Sequence, residues 1–178
     1  GPIQWEPQSV EQVTHTFINN GMNGHIPSAN VERFKNKPGE KGLDDQTAER
    51  WKKNVIEAGQ TNFVWHHTAN HATTGYRFYM TKPGWDPNKP LTRSDFDDKP
   101  FCALSYGGVR PPADLTIPCN VPERHGYQVI LAVWDVDDTV NSFYQVIDVK
   151  FSDGGTPAPV FDWNVMNNTA KNWLVNAD

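Results

Sequence analysis

The sequence predicts a mainly β protein that folds as an antiparallel β-sandwich, and three observations lead to this prediction. Two apolar runs, Gln128–Trp134 and Phe143–Phe151, flank a short polar segment, as expected for a hairpin of buried strands. Shorter strand-like segments precede them and are separated by loops, for which the 14 prolines and 13 glycines are suited. No long stretch repeats apolar residues at helical spacing, so the pattern favours strands joined by loops over long helices. At 178 residues the chain suits one domain.

The central hairpin carries the strongest pattern. In its first strand both alternating sets are apolar, as in a strand buried on two faces: Val129, Leu131 and Val133 against Ile130, Ala132 and Trp134. Side chains that bond their own backbone then favour a loop, namely Asp135, Asp137, Asp138 and Asn141. The second strand directs one set to each face, with Phe143, Gln145, Ile147 and Val149 opposite Tyr144, Val146 and Asp148. We therefore expect a rigid hairpin that presents a polar loop and Phe143 at one end of a sheet.

The segments before the hairpin are predicted in chain order. Residues 21–42 are rich in glycine, asparagine, proline and lysine and predict a loop with one helical turn at Ala29–Phe34. Leu43–Trp51 predicts a short helix capped by Asp44 or Asp45. Asn62–Thr68 predicts a strand, and Tyr76–Thr81 is expected to be its hairpin partner. A long proline-rich loop follows at residues 82–91, and residues 115–118 lead back towards the hairpin.

The C-terminal residues differ in composition from the rest. We expect residues 1–151 to form the domain and residues 152–178, which begin SDGGTPAP, to be an extension or linker. Asn167 begins a glycosylation sequon, which has meaning only for a secreted eukaryotic product.

Charge and motifs exclude several classes of function. A net charge of −5 without a run of lysine or arginine argues against nucleic-acid binding. No apolar stretch approaches the ~20 residues of a membrane span, and no signal peptide is visible. The chain has no HExxH, CxxC, GxSxG, P-loop or GxGxxG motif, so zinc-protease, serine-hydrolase and nucleotide chemistry lack support.

Some polar and aromatic residues allow a functional and a structural interpretation. His71 lies in a turn among small residues that leave its ring accessible, and from the local sequence alone a surface histidine is the favoured interpretation. Asp137 and Asp138 resemble the paired carboxylates of a glycosidase, or form a solvated acidic turn. Trp5 is either a platform for sugar stacking or an aromatic at the edge of the core. His66 and His67 are adjacent in a strand, so one ring should point inward and the other outward.

The two cysteines, Cys102 and Cys119, enclose a segment rich in glycine and proline. A disulfide between them would close a long loop and stabilise the fold by roughly 3 kcal/mol. Two buried thiols are the alternative.

Six segments in one order resemble a known family: IQWEPQSVE, LDDQTAERW, TANHATTGYRFYMTKPGWDPNKPLTRSDFD, PFC, CNVPER and VILAVWDVDDTVNSFYQVIDV. They are similar to the bacterial-type lytic polysaccharide monooxygenases (auxiliary activity family 10), which include chitin-binding proteins and colonisation factors. The resemblance extends from Gly1 to Lys150. It implies a fibronectin III/immunoglobulin-like antiparallel β-sandwich with a loop-and-short-helix insertion over about residues 5–59. It also implies a secreted copper enzyme that uses an external electron donor to cleave crystalline chitin or cellulose oxidatively.

The resemblance assigns a role to each matching residue. Copper in this family is held by a histidine brace, in which His71 matches the second histidine and Phe143 the axial aromatic residue. The resemblance places three residues beside the copper, namely Ala69, Asp138 and Thr139. It places four on the flat substrate-binding face, namely Trp5, Glu6, Glu11 and Asn141. Cys102 and Cys119 match a family disulfide.

The first histidine of the brace is expected in a segment that precedes Gly1 of this chain. We therefore expect the natural mature protein to be longer than this sequence. We expect a secreted monomer that binds chitin or a related β-1,4-linked polysaccharide, without nucleic-acid or membrane partners. The alternative is a non-catalytic chitin-binding protein with a role in adhesion, defence or toxicity.

Overall fold

The computed structural model describes residues 2–152, which form an antiparallel β-sandwich, so the predicted fold class is confirmed. The strands of this part of the chain are β1 (Glu11–Val13), β2 (Asn54–Ile56), β3 (Gly59–His66), β4 (Thr73–Met80), β5 (Cys102–Val109), β6 (Asp114–Val121), β7 (Tyr127–Val136) and β8 (Asn141–Phe151). Its helical segments are 3₁₀ turns at Pro2–Gln4, Pro7–Ser9, Glu32–Phe34 and Arg93–Asp95. None of these helices is long and apolar enough to cross a membrane.

The two sheets differ in size. The larger sheet has the order β1-β8-β7-β4-β5, and β2 joins β8 as a parallel neighbour. β1 pairs with residues 141–143 and β2 with residues 149–151, so the two short strands share the edge of β8 that faces away from β7. The smaller sheet consists of β3 and β6.

The predicted central hairpin is confirmed, with β7 and β8 paired from Tyr127↔Lys150 to Asp135↔Ser142. The side chains of β7 contribute to two cores, because one set packs between the sheets and the other packs under the N-terminal loops. Asp135 was expected in the loop, but β7 continues to Val136. Asp135 is tolerated in the strand because it accepts hydrogen bonds from the Arg77 guanidinium at 2.7 and 2.9 Å and from the Ser142 hydroxyl at 2.7 Å.

The expected hairpin of Asn62–Thr68 with Tyr76–Thr81 is wrong. β3 pairs with β6, whereas β4 pairs with β5 and β7, so the two segments belong to different sheets. Their apolar residues meet face to face across the sandwich, as in the Phe63–Phe78 ring pair, whose centroids are 5.0 Å apart. The alternation that predicted each strand was correct, but it does not specify which strand is its neighbour.

The short helix expected at Leu43–Trp51 is also wrong, since this segment forms turns without an α-helix. Its side chains bind to distant loops instead of capping a helix. The buried Asp44 carboxylate accepts hydrogen bonds from the Ser28 backbone N–H at 3.0 Å and the Ser28 hydroxyl at 2.8 Å. Gln46 donates to the backbone of Pro87 and to the Tyr127 hydroxyl, both at 3.0 Å. The helical turn expected within residues 29–34 is present as the 3₁₀ turn at Glu32–Phe34.

The Cys102–Cys119 disulfide is confirmed, with the two Cα atoms 5.5 Å apart. The segment between the cysteines is not one long loop, because most of it forms β5 and β6. The bond therefore links an edge strand of the larger sheet to the smaller sheet. The predicted extension at residues 153–178, with Asn167, lies outside the described residues, and the domain boundary stays a prediction.

Candidate metal site and adjoining surface

His71 lies in the connection between β3 and β4, at one end of the sandwich, with about a third of its side chain exposed. Its backbone N–H donates to the Ala69 carbonyl at 3.1 Å, and its own carbonyl accepts from the Thr73 hydroxyl at 2.9 Å. The same Thr73 oxygen accepts from the Trp134 indole at 2.8 Å. The loop that carries His71 is therefore fixed to the central strand β7.

Asp138 orients the His71 ring. One carboxylate oxygen lies 3.0 Å from Nδ1 of His71, and the other accepts the Ala72 backbone N–H at 3.1 Å. A proton on Nδ1 satisfies the carboxylate and leaves the lone pair of Nε2 free, which is the arrangement that metal-binding histidines commonly have. The neighbouring residue, Asp137, holds the same loop through its backbone N–H to the Ala72 carbonyl at 2.7 Å.

Aromatic rings form the apolar side of the site. Phe143 stacks on Trp134 with centroids 4.9 Å apart, and the His71 ring lies 6.2 Å from Phe143 at an interplanar angle of 27°. A small hollow opens here, lined by Ala69, His71, Trp134 and Phe143 together with Gln8, Trp65, His66, Thr68 and Gln145. Phe143 offers no ligand atom, so one side of the His71 ring faces hydrocarbon.

A polar strip continues from Phe143 along the β1–β8 pair. Glu11 is paired with Phe143 and Val13 with Asn141, and paired residues of an antiparallel ladder direct their side chains to the same face. The Asn141 side-chain amide donates to the Glu11 carboxylate at 3.3 Å, and the Asn141 backbone N–H donates to the Thr139 hydroxyl at 3.2 Å.

Trp5 follows the first 3₁₀ turn with 80% of its surface exposed, so the expectation that it is solvent-exposed is confirmed. The adjacent Glu6 carboxylate accepts two hydrogen bonds from the Arg33 guanidinium, at 2.7 and 3.0 Å. Arg33 thereby lowers the pKa of Glu6. The sequence patterns did not reveal this partner, because 27 residues separate the two.

Of the two histidines at the β3 end, His67 has a structural role, whereas His66 lines the hollow. His67 is buried, with Nε2 2.7 Å from the Tyr76 hydroxyl and Nδ1 2.9 Å from the Pro112 carbonyl. Burial lowers the pKa of His67, which favours a neutral packing role. His66 points to the other side and pairs with Asp114. One ring is thus inside and the other outside, as predicted.

The site contains one side chain suited to binding copper, the imidazole of His71. An imidazole with one ring nitrogen free is a ligand that copper accepts well, and His71, held at Nδ1 by Asp138, offers Nε2. Among residues 2–152 no group of three or more histidine, cysteine, aspartate or glutamate side chains is arranged to hold a metal ion. Within this part of the chain, His71 therefore meets the requirements of a single copper ligand.

The family resemblance was the basis for predicting that His71, Phe143 and Asp138 are neighbours. The contact of Trp134 with His71 was not predicted. The strand pattern indicates a core residue at Trp134, which is correct, but its ring also contacts His71 with centroids 5.8 Å apart. The position of Trp134 directly before the acidic residues was the sequence feature that could have indicated this contact. The two acidic residues at 137 and 138, considered as a glycosidase pair, both hold the loop of His71 in place.

A family model described as "Lytic polysaccharide mono-oxygenase, cellulose-degrading" matches residues 1–149. GlcNAc-binding protein A of Vibrio vulnificus is 51% identical over 163 residues, which is 92% of this chain and 32% of the relative. The protein of the same name from Shewanella oneidensis is 49% identical over 155 residues, 86% of this chain and 31% of the relative. The chain thus spans about a third of the length of these curated relatives.

Solved structures agree with the fold. An AA10 LPMO from Photorhabdus luminescens is similar with a TM-score of 0.76 and 44% identity, covering 83% of this chain and 82% of that one. A Bacillus amyloliquefaciens CBM33 protein in complex with Cu(I) has a TM-score of 0.74 and 39% identity, covering 85% of each chain.

Proposed function

The chain belongs to the lytic polysaccharide mono-oxygenase family, and from this premise we propose that it is a copper-dependent enzyme that binds crystalline chitin and cleaves it oxidatively. The observation that carries the proposal is the His71 imidazole, held on Nδ1 by Asp138 with Phe143 beside it. We propose further that the protein is secreted and monomeric and receives electrons from an external donor.

The residues of this chain hold and shield the metal in this proposal. His71 would supply one imidazole through Nε2, and the rest of the brace would have to come from a histidine outside this sequence. Asp138 keeps the proton on Nδ1 of His71, and Phe143 occupies the side of the site without offering a ligand. Copper, when bound, supplies the oxygen activation, while the aromatic wall excludes water from one side.

The exposed side chains near the candidate site support a polysaccharide as substrate. Trp5 exposes an aromatic ring, and the polar groups of Glu6, Glu11 and Asn141 stand beside it or along β1 and β8. Aromatic rings stack on the apolar faces of sugars, and polar groups bind their hydroxyl and amide groups. The relatives named GlcNAc-binding protein A favour chitin, whereas the family description names cellulose.

A second candidate is a chitin-binding protein without catalysis, acting in adhesion, defence or toxicity. The names of the relatives favour it, since they describe binding and not oxidation. Both proposed functions use the same binding surface. They differ in whether copper at His71 would oxidise the bound polysaccharide.

Copper calorimetry separates the candidates. The present chain should bind Cu(II) weakly, because one imidazole lacks the gain in effective concentration that linked ligands provide. A longer chain that begins with histidine should bind tightly and, with a reductant, release oxidised oligosaccharides from chitin. His71→Ala should abolish tight binding and leave the fold intact by circular dichroism.

Each other outcome has a definite meaning. Tight copper binding by the present chain would show that the site lies elsewhere. Tight binding by the longer chain without oxidised products from chitin or cellulose would establish the binding protein instead.

A further inference from the structure

One aliphatic side chain stands on the polar strip beside the candidate metal site. Val13 is the last residue of β1 and has 49% of its surface exposed. Gln12 turns the other way and donates to the Ala29 carbonyl at 3.1 Å. Glu11 and Val13 are both exposed, as the alternation of a strand requires.

The strand register fixes the neighbours of Val13. Val13 is paired with Asn141, and Glu11 is paired with Phe143, so these four side chains share one face of the ladder. Phe143 in turn stacks beside His71. The Val13–Asn141 pair is therefore the next pair on this face after Glu11–Phe143, and the Asn141–Glu11 hydrogen bond joins the two pairs. Val140, which is 73% exposed, follows at the same end of β1 and accepts a hydrogen bond from the Thr14 backbone N–H at 2.8 Å.

This combination of groups matches an acetamido substituent. Such a group carries an N–H donor, a carbonyl acceptor and a methyl group, and the strip offers a carboxylate acceptor, an amide donor and an aliphatic side chain side by side. A plain glucan has a hydroxyl at the same sugar position, and a hydroxyl gains nothing from contact with a methyl surface.

We propose that Val13 is a specificity-determining residue of the binding face and contacts the methyl of an acetamido group, so that the face favours N-acetylated over unsubstituted β-1,4-linked chains. The inference rests on the proposed function and deepens it. It gives a reason why an apolar side chain is exposed between polar ones, next to the candidate metal site.

The test compares Val13→Thr with a matched control, Val55→Thr. Threonine keeps the branched shape and strand preference of valine and replaces one methyl with a hydroxyl. Val55 is exposed to 39% on β2, which pairs with the opposite end of β8, far along the strand from Asn141. Thermal melts of both variants check that the fold is unchanged.

Binding isotherms are measured on β-chitin, on chitosan with few acetyl groups and on cellulose. Val13→Thr should weaken binding to β-chitin roughly fourfold, the effect of removing one methyl from an apolar contact. Binding to chitosan and cellulose should not change, and Val55→Thr should behave as the unaltered protein on all three.

Two outcomes would overturn the inference, and they are distinguishable from failure of the proposed function. Unchanged chitin binding by Val13→Thr, or an equal loss on cellulose, would remove Val13 from acetyl recognition while polysaccharide binding stands. If the unaltered protein binds none of the three polymers, the proposed function fails and this inference fails with it.

Discussion

A histidine becomes a useful metal ligand only when one ring nitrogen is fixed and the other is left free. In this protein Asp138 meets the first condition and also binds the backbone of the loop that carries His71, so orientation of the ring and position of the loop depend on one carboxylate. Loss of that carboxylate should therefore affect metal affinity more than stability.

Asp138→Asn is the direct test at this scale. In a longer chain that begins with histidine, we expect copper affinity to fall roughly ten- to a hundredfold, because the neutral amide holds the His71 proton less strongly. Asp137→Asn is the matched control, since Asp137 bonds the Thr74 hydroxyl at 3.0 Å and no hydrogen bond joins it to the ring. Calorimetry gives both affinities, and equal losses in the two variants would contradict the orienting role.

Trp5 should bind sugar through its exposed ring. Trp5→Ala should weaken adsorption to β-chitin by about 1–2 kcal/mol, the scale expected when one aromatic side chain is removed from an interface. Stability should hardly change, because 80% of the residue's surface is already exposed. Unchanged adsorption would remove Trp5 from the binding face, while Trp5→Phe should retain most of it.

At the scale of elements, the strand alternation and the β7–β8 hairpin were predicted correctly, whereas the partner of β3 and the helix at Leu43–Trp51 were not. The alternation in β7 and β8 specified both faces of each strand, because burial on two sides requires apolar residues in both sets. The partner of β3 could not be predicted, because Phe63 and Phe78 satisfy the same apolar pattern whether they lie side by side or face to face. The turns of residues 43–51 depend on Ser28 and Tyr127, which are remote in sequence.

The same limit applies to the candidate site. The sequence identified His71 and the acidic residues Asp137 and Asp138 as candidate functional residues. Only the family resemblance predicted that His71 and Asp138 lie together. Trp134 approaches the His71 ring because the chain passes from the smaller sheet to the larger one between β3 and β4. No local sequence pattern specifies that connection.

Asp148 near the far end of β8 should make stability depend on pH. Burial raises the pKa of Asp148 to about 7, although the Tyr127 hydroxyl bond and the Lys53 charge act in the opposite direction. The folded state therefore holds this proton more tightly than the unfolded state, whose aspartate pKa is about 3.9. The stabilising effect of the proton is complete below pH ~4 and is lost as the pH rises through about 7.

Urea unfolding between about pH 5 and pH 8 measures this dependence. Asp148→Asn should reduce the fall in the free energy of unfolding with rising pH, because the amide stays neutral and still accepts the Tyr127 hydrogen bond. Asp98→Asn is the control, since the Asp98 side chain is 93% exposed, and should keep the original profile. A decline of equal slope in Asp148→Asn would show that another group is responsible.

At the scale of the whole molecule, the disulfide joins the two sheets at the β5 edge. Replacing both cysteines with alanine should lower the free energy of unfolding by roughly 3 kcal/mol, the effect expected for a loop of this length. Urea denaturation measures the loss. A reductant should produce a similar loss in the unaltered protein and none in the double variant, and a variant as stable as the original would contradict the prediction.

The shared edge of β8 has a consequence for aggregation. β8 is a long and largely apolar strand, and an open edge along it would recruit the strands of other molecules. β1 covers its first residues and β2 its last, running in opposite directions, while the Tyr144 backbone N–H between them donates to the Val10 carbonyl at 2.9 Å. Little of the edge is left to pair with a neighbour. Detachment of β1 would expose the β8 backbone at residues 141–143, beside Phe143 of the candidate site, so proteolytic loss of the N-terminal segment should increase aggregation of the remaining protein.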